Sequence, residues 1–208
     1  MATTALINSL KSGSLLPSPI IPSTFTPSYS LFITFPSKNP SNGCLVRVSD
    51  VASEPRITFS PIESSSSTST STDASSTFTL LLIDPDAPTP DDPKFAYWRH
   101  WVVINIPTTS SSEPNSDSVQ GGVQNGKTLT PYLAPGPKDS SGPHRYLFLL
   151  FKEPVGFTVE KGDVGGDEFV ERRSFGAREW VEREGLELVG VQWMRGVGDG
   201  WDSGKDEL

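Results

Sequence analysis

Sulfur chemistry is almost missing from this chain, since Cys44 is its only cysteine. No intrachain disulfide can form, and no cluster of cysteines is present to hold zinc. Basic residues are outnumbered: 17 Lys and Arg stand against 25 Asp and Glu, a formal net charge of −8. The one dense basic pair is Arg172-Arg173, too little for the clustered cationic surface that nucleic-acid phosphates require. No stretch approaches the roughly 20 apolar residues of a membrane-spanning helix. A glycine-rich phosphate loop ahead of a helix is absent, which removes support for nucleotide hydrolysis. Histidine is scarce too, with only His100 and His144.

What is present is proline and glycine, 19 and 18 residues spread along 208. Proline removes a backbone donor and glycine costs entropy inside an element, so long helices are not expected and a β-rich class is. A chain of this length fits one domain and can bury about 70% of its unfolded surface. Short strands are predicted over 28–35, over CLVRVSDV from Cys44, over 56–61, at Phe78–Ile83, at 100–107, over RYLFLLFKEP from Arg145, and in the closing LELVGVQWMRG. The aliphatic runs at 78–83 and 100–107 read as strands buried on both faces. Two helices are predicted: a short one within the N-terminal segment 1–14, and an amphipathic one near 174–184 with Ser174 as N-cap and Gly185 as stop. Two polar stretches, 63–77 and 108–128, are assigned to surface loops, and 197–208 to an exposed tail.

The two ends are read as addresses. The apolar run at the N-terminus is broken by Pro17 and Pro19, so it is expected to belong to the mature protein, in the cytoplasm. The last four residues, Lys205-Asp206-Glu207-Leu208, match an ER-retrieval signal, which makes the ER lumen the alternative.

The aliphatic strand ending at Ile83 runs into Asp84-Pro85-Asp86-Ala87-Pro88, and each histidine adjoins another core strand. Two carboxylates and two imidazoles suggest four chemistries. A metal site lacks helpful spacing, since no H-x-x-x-H or H-x-x-E pattern joins either histidine to a second ligand. A glycosidase pair would have to flank a glycosidic bond, which neighbours two apart do not. A nucleophile is missing, because Ser140 and Ser141 sit in a turn-forming loop with no strand-to-helix elbow. A small anion site is left: imidazole N–H, the Tyr146 hydroxyl and a backbone N–H near Gly136 can bind an oxyanion, while a buried aspartate orients the imidazole.

Three segments then carry a resemblance: DPDAP at 84–88, YWRHWVVINIP at 97–107 and YLAPGPKDSSGPHRYLFLLF at 132–151. In order and spacing they resemble the phosphatidylethanolamine-binding protein family, with the GPHRY wording and the long polar insert most similar to fungal carboxypeptidase Y inhibitor-type members. The resemblance implies an all-β, Greek-key antiparallel sandwich with a few short helices, spanning 1–208 as one domain. It implies a ligand pocket made of Asp84, Asp86, Pro88, Trp98, His100, Gly136, His144 and Tyr146, with Arg145 directed into the structural surroundings and no metal or cofactor. Lys138, Ala134 and Arg99 depart from the family pattern. The implied function is a monomeric, non-enzymatic regulator that binds a phospholipid headgroup or other small anion and inhibits a serine carboxypeptidase or a kinase; the resemblance also admits a vacuolar location. The alternative is a lyase- or isomerase-type enzyme using the His and Asp groups for acid–base chemistry.

Overall fold

The computed structural model describes residues 2–62, 76–110 and 119–203. The chain is mostly β, with nine strands and two α-helices among those residues. In chain order they are α1 (Ala2–Ser12), β1 (Tyr29–Thr34), β2 (Cys44–Arg47), β3 (Arg56–Pro61), β4 (Thr77–Asp84), β5 (Trp98–Ser110), β6 (Val119–Gly122), β7 (Lys127–Thr130), β8 (His144–Lys152), α2 (Ala177–Arg183) and β9 (Glu187–Val197). The strands form one continuous path, β1-β3-β6-β5-β4-β8-β9-β2, with β7 beside β5. All pairings are antiparallel except β2 with β9.

The path curls, so that β1 comes back against β9. The Ser28 N–H donates to the Val189 carbonyl at 2.9 Å. At Gly190 of β9 a Cβ would collide with Leu31 and with the Tyr29 carbonyl. Only a residue without a side chain lets the two backbones approach so closely.

The curl encloses one core and leaves a second on its outer face. Inside, Leu31 and Ile33, Ile57 and Phe59, Phe78, Leu80 and Leu82, Trp101 and Val103, and Phe148 and Leu150 pack together. Outside, Leu81 and Ile83, Val102 and Ile104, and Leu147 and Leu149 are covered by α1, the 15–25 segment and α2. From Phe78 onward strand β4 is buried on both faces, which is why its sequence is an aliphatic run rather than an alternation. Burying each of its leucines contributes about 1.5–3 kcal/mol.

Several details differ from the sequence expectation. The stretch 108–128 is not all loop: β5 continues to Ser110, and β6 and β7 follow. Its polar composition concealed strands that are held by backbone bonds and by an absent side chain, since a Cβ at Gly121 would collide with the Phe59 ring. The loop expected at 63–77 lies outside the described residues over 63–75, and Thr77 already belongs to β4. The strand from Cys44 stops at Arg47 and turns into a 3-10 turn over Val48–Val51. Ser174 is not a helix cap. It has φ +50° and its N–H donates to the Phe95 carbonyl, so α2 begins after Gly176 and ends before Gly185, at φ +64°.

Both termini are tied down as far as they are described. In α1, Leu6 and Leu10 are buried one turn apart, and Trp193 Nε1 donates to Ser9 Oγ at 3.0 Å. Near the other end, where an exposed tail was expected, Val197 is buried. Arg47 Nη1 there donates to the carbonyls of Gly198, Asp199 and Trp201 at 2.9–3.0 Å. The Lys205–Leu208 signal lies outside the described residues. No described helix is long and apolar enough to cross a membrane.

Candidate functional site

The site forms where β4, β5 and β8 end together. Strand β4 delivers Asp84, and the prolines on either side of Asp86 restrict the turn that follows. Asp84 Oδ1 accepts the Asp86 N–H at 2.7 Å, a local turn that fixes the carboxylate's plane. Its Oδ2 faces His144 Nδ1 at 2.9 Å. Asp86 serves the next residue of β8: its Oδ2 accepts the Arg145 backbone N–H at 2.7 Å and Nε at 2.9 Å, and its Oδ1 accepts Nη2 at 2.6 Å. The two carboxylates thus have separate duties, one orienting an imidazole and the other anchoring the strand end beside it. Arg145 carries that anchor on to α1, because its Nη1 donates to the Gly13 carbonyl at 2.9 Å.

His100 enters from β5 through a bulge. Leu82 pairs with Trp101 and Ile83 with Arg99, which leaves His100 opposite no residue of β4. The extra residue turns the ring toward Tyr146, whose centroid is 5.2 Å away, and sends Arg99 to the other face of the sheet. The His100 Nδ1–H donates to the Leu133 carbonyl at 2.7 Å, and the Leu133 N–H returns a bond to the His100 carbonyl. Tyr146 lies between the two imidazoles, with His144 stacked at 6.3 Å. The backbone of Gly136 lies beside the Tyr146 hydroxyl and favours its ionised form. Burial, reinforced by Asp84 and Asp86, pushes the Tyr146 hydroxyl well above its ordinary range, so it keeps its proton to donate.

The contacts therefore unite Asp84, Asp86, His100, Gly136, His144 and Tyr146. Trp98 joins by position, paired with Asp84 across the ladder and buried edge-on to Phe169 at 4.8 Å. Pro88 is exposed on the turn beyond Asp86. Two buried polar atoms lack a partner in this region, His144 Nε2 and Trp98 Nε1. Two grooves of the described surface lie away from this site, one of about 610 Å³ between α1, β1 and residues 39–42 and one of about 350 Å³ around Glu54 and Gln124. Unmet hydrogen-bonding capacity at His144 and Trp98 marks the histidine site, while Trp101, Glu153, Arg173 and Trp180 also hold buried atoms without a partner.

Of the residues that depart from the family pattern, Arg99 points away. Its Nε donates to Thr130 Oγ1 at 3.0 Å, its Nη2 to the Gly166 carbonyl, and its guanidinium lies 5.1 Å from the Phe175 ring centre. Burial and the neighbouring Arg172 bring its pKa down to about 10. Lys138 is exposed, and Ser141 Oγ donates to its carbonyl, a turn-building role for that serine. Among the described residues, no three His, Cys, Asp or Glu side chains gather as a metal-binding set.

Sequence reasoning missed Arg172. This side chain is buried, and its Nη1 donates to the carbonyls of His100 at 3.0 Å and Pro131 at 2.9 Å, while Nε donates to Asp167 O at 3.0 Å. It ties β5 to the segment that supplies Leu133. Its only sequence signal was the unusual Arg172-Arg173 pair.

Burial lowers the pKa of His100 most, opposed by Asp84 and the Leu133 bond and assisted by Arg172 and His144. The unfolded chain then holds a proton on this residue that the folded chain rejects. Stability is therefore full above the unfolded value of about 6.5 and falls as pH drops below it toward the folded value. Thermal unfolding between pH 7.5 and 5.5 should show a falling midpoint, with a shallower slope for His100→Gln; parallel slopes would remove His100 as the source.

Comparison with known proteins gives consistent results. A family model described as phosphatidylethanolamine-binding protein matches residues 34–189. CEN-like protein 4 of Nicotiana tabacum is 33% identical over 150 residues, covering 72% of this chain and 73% of that protein. The rice (Oryza sativa subsp. japonica) protein MOTHER of FT and TFL1 homolog 2 is 30% identical over 133 residues, covering 64% of this chain, and the match spans 63% of the rice protein's own length. Among solved structures, a carboxypeptidase Y inhibitor complexed with its cognate proteinase superposes with a TM-score of 0.76 at 25% identity, covering 95% of this chain and 97% of that one. A phosphatidylethanolamine-binding protein from Plasmodium vivax shares the fold, with a TM-score of 0.65 at 24% identity over 93% and 97% of the two chains.

Proposed function

The chain belongs to the phosphatidylethanolamine-binding protein family, and from that premise we propose that it is a binding and regulatory protein rather than an enzyme. Its histidine site takes a small oxyanion, such as phosphate or the phosphate of a headgroup, and its surface inhibits a partner protein. The observation that carries the anion reading is the buried, unpartnered His144 Nε2, held by Asp84 behind it. A buried polar group left without a partner is costly unless a ligand completes it. Asp86 is committed to Arg145 and Asp84 to orienting His144, so neither carboxylate is free to act as an acid or base on its own. The structural neighbour bound to its cognate proteinase supports an inhibitory surface and makes a serine carboxypeptidase the first partner to test, with a kinase the alternative.

Titration calorimetry of the purified protein with inorganic phosphate and phosphoethanolamine, beside His144→Ala, tests the site. Saturable binding weakened by more than about tenfold in the variant is expected, with a lower thermal midpoint in ligand-free buffer because the buried Asp84 carboxylate loses its donor. Equal affinity in both proteins would defeat the assignment. Inhibition of a serine carboxypeptidase is measured separately, so that a missing partner does not obscure a present ligand.

A further inference from the structure

We infer that a second copy of this chain docks on the edge of β1 that faces away from β3, the two copies pairing as antiparallel strands about a two-fold axis at Phe32. The contact lies away from the histidine site and stands apart from the anion reading. It replaces the monomer that the resemblance implies.

Strand β1 ends the sheet path and, among the described strands, pairs only with β3. On its other side it meets β9 just before its start, where the Ser28 N–H donates to the Val189 carbonyl. The edge of β9 then passes to β2, since the Gly43 N–H donates to the Trp193 carbonyl and Cys44 pairs with Met194. From Leu31 to Thr34, β1 is left lining the groove of about 610 Å³, opposite α1 and residues 39–42. The register decides which backbone groups face that groove. The Ile62 N–H donates to the Ser28 carbonyl, so bonding to β3 falls on Ser28 and on every second residue after it, Ser30, Phe32 and Thr34. The N–H and C=O of Leu31 and Ile33 are thereby directed to the groove side.

An end strand is ordinarily protected by charge, by proline or by brevity. At the other end of the path, β2 is four residues long and carries Arg47. β1 is six residues, YSLFIT, with neither charge nor proline, and its Phe32 is 56% exposed. None of the residues that line the groove is charged, although the chain is 20% charged and has a net charge of −8. Those two facts select the occupant: molecules of such charge repel one another over most of their surface, and an uncharged face is where like copies can approach. The strand is also self-complementary. With Leu31 opposite Ile33 of the second copy, and Ile33 opposite Leu31, four N–H to C=O bonds form. Phe32 then stands directly opposite its own copy on the outer face, with Ser30 and Thr34 paired on either side. Pairing of this isologous kind closes at two copies.

Sedimentation velocity of the intact wild-type chain, from about 1 to 500 µM and in about 20 and 300 mM salt, tests the contact. A strand-edge interface buries less than about 1,200 Å², so weak, concentration-dependent dimerisation is expected. It should tighten by about twofold or more in the higher salt, because like charges are screened. Phe32→Lys sets two ammonium groups against each other on the axis and should weaken the dimer by more than about tenfold, with an unchanged thermal midpoint in dilute protein. Phe169→Lys, at a side chain 59% exposed on another element, should leave the dimer as it is. Single cysteines in a Cys44→Ser background read the register. Phe32→Cys should give a covalent dimer with oxidised glutathione, since directly opposed residues lie about 4.5–5.5 Å apart. Ser30→Cys, about 14 Å from its own copy, should not. A single species of monomer mass throughout overturns the inference and leaves the groove to a strand of another protein. A dimer that loosens in salt, one indifferent to Phe32→Lys, or equal cross-linking at position 30 overturns it as well.

Discussion

Asp84→Ala is expected to lower stability by about 2–6 kcal/mol and to abolish oxyanion binding. The carboxylate is buried and answers two donors that nothing else reaches, the Asp86 N–H at 2.7 Å and His144 Nδ1 at 2.9 Å. Each buried donor left without an acceptor costs about 1–3 kcal/mol, which sets the range. For a domain of this size, that is a fall of roughly 2–4 °C in the thermal midpoint per kcal/mol. Asp84→Asn separates stability from the His144 tautomer. The Asp86 N–H can only donate, so the amide oxygen must turn to it and the amide nitrogen must face His144 Nδ1. His144 then accepts at Nδ1 and carries its proton on Nε2. The expected result is a much smaller stability loss, about 1 kcal/mol, with the His144 ring proton moved from Nδ1 to Nε2, read from the nitrogen NMR shifts of the ring. If His144 keeps its proton on Nδ1 in Asp84→Asn, Asp84 does not set the tautomer.

How far this site was legible in the sequence depends on what kind of physics made each part. The strands β4, β5 and β8 were readable because burial on both faces demands aliphatic runs, and the side chains themselves carry that signal. Asp84, His100 and His144 were readable because rare polar types stood at strand ends. The direction of His100 was not. It depends on a bulge, and a bulge is a register relation between Leu82, Ile83, Arg99 and Trp101 that no single strand reveals. Strands β6 and β7 were missed for the opposite reason to β4's visibility: backbone ladders and the bare Gly121 hold β6, and neither leaves hydrophobic alternation behind. Ser174 resembled a helix cap by type, yet its N–H is used by the Phe95 carbonyl from a distant segment, a tertiary contact that overrides local preference.

Arg172 is the clearest case of function carried by a residue that composition would place at the surface. Arg172→Ala should cost about 3 kcal/mol, less than the sum of its bonds, because removing the side chain also relieves the burial of a charge. That burial is what lowers its own pKa. The carbonyls of His100, Pro131 and Asp167 would lose their donor, and the segment bearing Leu133 would no longer be pinned to β5. A merely structural role predicts lost stability alone, whereas a positioning role predicts a change at His100. Arg172 is among the charges that hold the His100 pKa down, so NMR titration of the His100 ring should show that pKa rising in Arg172→Ala. Arg172→Lys keeps the charge but lacks the planar fork that reaches two carbonyls through one nitrogen and a third through another. It should leave the His100 pKa near its wild-type value while weakening phosphoethanolamine binding, which would separate the field of Arg172 from its geometry. Arg173→Ala is the control: its guanidinium carbon lies 4.5 Å from the Phe95 ring centre and 5.8 Å from that of Trp98, so a cation–π loss of about 0.5–2 kcal/mol is expected with no change in the His100 titration. A His100 pKa that stays fixed in Arg172→Ala would reduce Arg172 to a structural strut.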